Sequence, residues 1–102
     1  MQPFDIFNAV FLWHGCADMR PWLIVDLRPN GIVGCFPIAS QSYGSSSFFL
    51  DSAEPDFPAT GLKKSCHIHD DHLYDIPVAN FRNQRGVLTG ELLKAFREYA
   101  GV

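Results

Sequence analysis

The sequence lacks any apolar run long enough to cross a bilayer. Its longest, such as WLIV and CFPIA, fall far short of the roughly 20 residues that a spanning helix needs. The opening residues, MQPFDIFN, place no basic segment ahead of an apolar one, so no secretory leader is expected. Cysteine is sparse. Cys16, Cys35 and Cys66 are an odd number without a disulfide framework, and reduced thiols in a cytoplasmic protein are the expectation. Repeats, low-complexity segments and dividing linkers are absent, so residues 1–102 read as one domain. Positive charge is also short: eight Lys and Arg against eleven Asp and Glu leave a formal charge of −3. That argues against a protein that coats nucleic acid through net charge, and it leaves a local basic groove open.

What is present is apolar and aromatic. Hydrophobic residues make up 47% of the chain, with nine phenylalanines. A chain this long buries roughly 60–70% of its unfolded surface in one core. Period-two patterns dominate. FDIFNAVFLW (4–13) and WLIVDL (22–27) read as strands, RPNG as a tight reversal, and IVGCFPIAS (32–40) as the answering strand. QSYGSSS is a polar loop, FFLD (48–51) a short strand, EPDFPATG a proline-punctuated connection, and LKKSCHIH (62–69) a further strand. Only the end changes period. Leu88, Leu92, Phe96 and Tyr99 recur at helical spacing, with Thr89 as N-cap and Gly101 as the stop. Five or so short strands and a C-terminal helix predict a mainly β fold, a small SH3-like curled barrel.

One stretch points elsewhere. In SCHIHDDHLYDIP, His67, His69, Asp71 and His72 spell the H-x-H-x-D-H pattern of metallo-β-lactamases, which would make the chain a metal-dependent hydrolase. The rest of the chain offers only His14 and Asp75 to complete a binuclear shell. If the segment is extended, His67 and His69 point to one face and Cys66 to the other, away from a closed tetrahedron. The expectation is therefore no metal and no cofactor, with the three histidines on a solvated strand end.

Taken in order along the chain, four pieces resemble the PemK/MazF family of toxins from bacterial toxin–antitoxin pairs. MRPWLIV is similar to that family's Arg-Pro and apolar strand, and CFPIASQ to its P-I-T-x-Q strand. TGLKKSCHIHDDHLYDI resembles its G-L-x-x-x-S strand and acidic turn, and RGVLTGELLKAF its final helix. The N-terminal FDIF departs from the family's usual GDI start. The resemblance implies an endoribonuclease that cuts single-stranded RNA without a metal, leaving 2′,3′-cyclic phosphate ends. It also implies a homodimer and a small acidic antitoxin as partner. Related CcdB toxins share the barrel and trap DNA gyrase, so a non-enzymatic binding protein is the alternative.

By the same resemblance Arg20 stands at the catalytic arginine. A planar guanidinium suits that role because it makes paired hydrogen bonds to a phosphate whose charge grows in the transition state. The competing expectation is a surface ion pair with Asp18 or Asp26. The family's threonine position is occupied by Ala39. Ser40 is the nearest replacement hydroxyl, but side chains alternate along a strand, so a bulge is expected to re-aim it beside Arg20. RNA binding is assigned to His14, Gln41, Lys63 and Lys64, with His14 and Trp13 as stacking surfaces and the lysines as phosphate holders. The plainer expectations are that Trp13 caps the core and that the lysines keep a strand edge soluble.

Overall fold

Alternating apolar residues build the first three strands. In the computed structural model, which describes residues 1–44 and 46–102, β1 (Asp5–Val10), β2 (Met19–Leu27) and β3 (Ile32–Ala39) pair antiparallel in chain order. Leu23, Phe36 and Ile38 turn to one face, and Trp22, Ile24, Val33 and Cys35 to the other. Both sets are buried, because a core lies on each side of the sheet. The reversal at Pro29–Gly31 closes on a backbone bond from Arg28 to Ile32 (3.1 Å), with Gly31 at φ 79°.

Four short strands complete the sheet: β4 (Phe48–Leu50), β5 (Cys66–Ile68), β6 (Tyr74–Pro77) and β7 (Phe81–Val87). Their order is β4-β5-β3-β2-β1-β7, and β3 divides its outer edge between β6 near its start and β5 at its end. The sheet curls without closing, so the expected barrel is an open one with β4 and β7 at its edges. No described helix is long and apolar enough to cross a membrane.

The helix α1 (Gly90–Ala100) forms where the period changes, and it buries Leu92 and Phe96. The Phe96 ring meets Phe48 and Phe36 edge-on, at 5.4 and 6.3 Å between centroids. Gly101 ends the helix in the left-handed conformation, as expected. Thr89 occupies the N-cap position, but its side chain makes no capping bond. That role passes to Asp56, whose Oδ2 accepts from the amides of Glu91 (2.9 Å) and Leu92 (3.4 Å). A carboxylate also answers the positive end of the helix dipole.

Three expectations need correction. LKKSCHIH contributes only three strand residues, because Lys63 and Lys64 lie in a bend and the His69 amide leaves β5 to bond the Pro37 carbonyl (2.9 Å). Strands β6 and β7 lack a legible apolar alternation. FRNQRGV is an edge strand with its middle exposed, so selection for a buried face never wrote the pattern. The solvated histidine cluster holds only in part: His72 is exposed and His67 half-buried against Phe49, but His69 is buried against Trp13 (4.9 Å).

Candidate functional site

Strand register decides what stands beside Arg20. Trp22 pairs with Pro37, so Arg20, two residues before, and Ala39, two residues after, project to the same face at the same end of the sheet. Beyond Ala39 the strand stops, and Ser40 opens the loop that leads to Tyr43. These residues line a cleft of about 290 Å³, closed on the far side by Lys63, Lys64 and Arg85. The bulge expected at Ser40 is not there, since β3 is regular through Ala39. Of the register shifts in the sheet, one on β7 bears on the cleft. Ile6 pairs with Gly86 and Phe7 with Gln84, which leaves Arg85 as the extra residue. A bulge breaks parity and re-aims a side chain, and here it turns Arg85 into the cleft.

Two glycines let β7 pass this close. A Cβ on Gly61 would collide with the Arg85 carbonyl, and one on Gly86 would collide with the carbonyl of Ala59. With both in place, Arg85 donates from Nη2 to the Gly61 carbonyl (2.9 Å) and from Nη1 to Asn8 Oδ1 (3.4 Å). Asn8, nearly buried, is in turn held to Asn83 (3.1 Å).

Arg20 is fixed differently. Its guanidinium carbon lies 4.8 Å from the centroid of the buried Trp13 ring, a cation–π shelf. Its Nε is buried without a hydrogen-bond partner among the described residues. The expected ion pair with Asp18 or Asp26 is absent there: Asp26 pairs with Arg28 (3.2 Å), which also binds Asp75. Four of the chain's eight Lys and Arg residues therefore line one cleft, and the described lining includes no Asp, Glu or His. In a chain of net charge −3, this is a local cationic surface built against the global balance.

Cys66 also lines the cleft, but burial pushes its thiol up to about 11, so it is no thiolate nucleophile near neutral pH. His69 lies behind the wall. Burial lowers its pKa, and its Nε2 lies 2.8 Å from the Gln41 carbonyl as hydrogen-bond donor. Among the described residues no three His, Cys, Asp or Glu side chains converge to hold a metal ion.

The fold thus gathers Arg20, Ser40, Lys63 and Lys64 around one space. His14 stands next to it rather than in it, stacked on Tyr43 (4.9 Å, 20° between planes). Gln41 is exposed and lies outside the lining, its backbone carbonyl accepting from His69 Nε2. Trp13 is buried, as the plainer expectation had it, and serves as the shelf for Arg20. Sequence reasoning missed Arg85 and Tyr43. Arg85 had a faint signal in the Arg-Gly pair at 85–86, where glycine in a strand marks a bulge or close backbone approach.

A curled antiparallel sheet with one helix, carrying a cleft whose described lining is cationic and free of carboxylates, defines a mainly β protein with one local basic surface. Comparison with solved structures makes the fold specific. The chain superposes on the Mycobacterium tuberculosis toxin MazF-mt6 with a TM-score of 0.69, at 23% identity over 95% of this chain and 92% of that one. It superposes on an endoribonuclease solved with its cognate antitoxin from a mycobacterial species with a TM-score of 0.67. There the identity is 11%, over 97% of this chain and 89% of that one. The protein has the fold of the MazF-type toxins. No family model and no curated protein sequence matches it.

Proposed function

We propose that this protein is the toxin of a toxin–antitoxin pair, a cytoplasmic endoribonuclease that cuts single-stranded RNA without a metal. One observation carries the reading: an acidic chain concentrates half its cations in a cleft without carboxylates, on a fold shared with toxin endoribonucleases. An RNA backbone is the polyanion that such a surface receives, and electrostatics supplies most of its affinity.

In the reaction the ribose 2′-oxygen attacks the adjoining phosphorus while the bond to the 5′-oxygen breaks. Hydroxide takes the 2′-OH proton, and the resulting water returns a proton to the leaving oxygen. The product is a 2′,3′-cyclic phosphate and a 5′-hydroxyl. Negative charge builds on the phosphoryl oxygens, and Arg20, pinned on Trp13 in the cleft lining, meets it with the terminal N–H donors of its guanidinium. Arg85, Lys63 and Lys64 hold neighbouring phosphates. Ser40 lines the cleft where the loop begins and takes no step in this chemistry. A small acidic antitoxin would cover the same cleft by charge complementarity. Pairing of two copies is part of the proposal, since Leu12, Met19 and Val78 leave apolar surface exposed. Sedimentation at micromolar concentration should then give a dimer.

The test is a labelled single-stranded RNA incubated with the protein in chelator, with product ends identified by mass. Cleavage to cyclic phosphate is expected to persist in chelator. Arg20→Ala should lower the rate by about 10²–10³, and Arg20→Lys should recover little of it. Cleavage that needs an added metal, or that survives Arg20→Ala, overturns the mechanism. A second reading has its own support: Ala39 puts no hydroxyl on the face that Arg20 shares. Tight RNA binding without any cleavage would make the protein a non-enzymatic binder.

A further inference from the structure

Of the three non-glycine residues at positive φ among the described ones, Phe4 packs against the core, while His14 and Tyr43 meet at the surface. His14 (φ 50°) and Gly15 (φ 74°) are the centre of a two-residue hairpin, closed by paired bonds between Trp13 and Cys16 (2.9 and 3.0 Å). Tyr43 (φ 53°) and Gly44 (φ 72°) repeat the left-handed pair in the loop after β3. Turns of this kind favour Asn, Asp or Gly first, because a larger side chain strains the left-handed backbone. Two turns thus carry strain at the residue whose ring they display, and such strain collects at ligand sites.

The displayed rings are organised. His14 stacks on one face of Tyr43, and Trp13 lies edge-on beneath both, at 4.3 and 5.4 Å. His69 backs Trp13 from inside. Despite these neighbours Tyr43 stays 49% exposed and lines the cleft beside Arg20 and Ser40. Tyr43 also meets His69 at a tilt (5.8 Å) and still keeps half its surface exposed beside the cleft. The 4.9 Å separation from His14 is that of rings in contact, so nothing enters between them.

We propose that the His14–Tyr43 stack is a nucleobase seat. One unpaired base lies on the open face of Tyr43, and its adjoining phosphate sits among the cations of the cleft. His14 is a positioning residue that holds the tyrosine ring upright from behind. Stacking accepts any base, so the seat sets affinity and register along the strand rather than base identity. This rests on the RNA reading above.

The experiment uses short, non-cleavable 2′-O-methyl RNAs carrying 2-aminopurine at one position at a time, followed by fluorescence and anisotropy. With the parent protein one position should be strongly quenched. Tyr43→Ala should abolish that quenching and weaken binding by about 5- to 100-fold, the loss of one base stack. Tyr43→Phe should retain both. An abasic nucleotide at the quenched position should weaken binding to unaltered protein by a similar factor, which tests the seat without any substitution. Full quenching and affinity in Tyr43→Ala, with affinity lost in Arg20→Ala, would overturn the seat and leave the RNA reading standing. A parent that binds none of these RNAs would overturn both.

Discussion

Salt dependence tests the cleft most directly, because its expected size follows from counting cations. Each phosphate that a cation neutralises on a single strand contributes about −0.7 to the slope of log K against log salt. Four cations line the cleft, Arg20, Lys63, Lys64 and Arg85. If all four engage phosphates, the slope is about −2.8, and binding weakens about 50-fold between roughly 50 and 200 mM salt. Removing Arg85 as Arg85→Ala should bring the slope to about −2.1 and the loss to about 18-fold. Lys63→Ala with Lys64→Ala should bring them to about −1.4 and 7-fold. The assay is anisotropy of a labelled 2′-O-methyl RNA titrated at several salt concentrations. The control is Lys94→Ala, whose cation lies on the helix and not in the lining, and which should leave the slope unchanged. A slope unmoved by the cleft variants, or moved as much by Lys94→Ala, would mean that RNA does not run through this cleft. Arg85 is the most exacting case. It is half committed to Gly61 and Asn8, and a slope that ignores it would reduce it to a structural strut.

Other outcomes follow from particular residues. Because β3 is regular through Ala39, Ala39→Thr should place a hydroxyl beside Arg20 and raise the cleavage rate, while Ser40→Ala should change it little; the reverse pattern would show that Ser40, already in the lining, supplies the working hydroxyl. Asp56→Ala should lower stability by about 1 kcal/mol and Tm by about 4–8 °C, whereas Thr89→Ala should do almost nothing, since Thr89 makes no capping bond. At pH 8 a thiol reagent should modify the exposed Cys16 quickly and the buried Cys35 and Cys66 slowly. Burial holds the folded thiols of Cys35 and Cys66 at about 12 and about 11, above the ordinary value of 9.0. Above about pH 9 the unfolded chain therefore holds fewer protons, so stability should fall from pH 9 upward, to about 11 for the Cys66 share and to about 12 for that of Cys35. A flat Tm over that range would refute the assignment.

The local elements of this protein were written in its sequence. The alternation in FDIF, WLIV and IVGCF made β1 to β3 legible, RPNG marked their reversal, and Leu92 with Phe96 marked the helix, because each of these buries one periodic face. Ordered motifs singled out Arg20 and the Ala39–Ser40 pair, since residue type and chain order are one-dimensional facts. The tertiary structure alone decided the rest. It turned Arg85 inward through a bulge on a polar edge strand, where no apolar alternation exists to read. It handed the helix cap from Thr89 to Asp56, 33 positions earlier, because a distant carboxylate reached the amides first. It buried His69, which sequence placed in solvent, by turning it out of β5 against Trp13. It also brought the turns of His14 and Tyr43 face to face across the sheet end. Periodicity records what a residue does within its own strand or helix. A cleft is made where separate strands end together, and that meeting depends on register and closure, which no local pattern encodes.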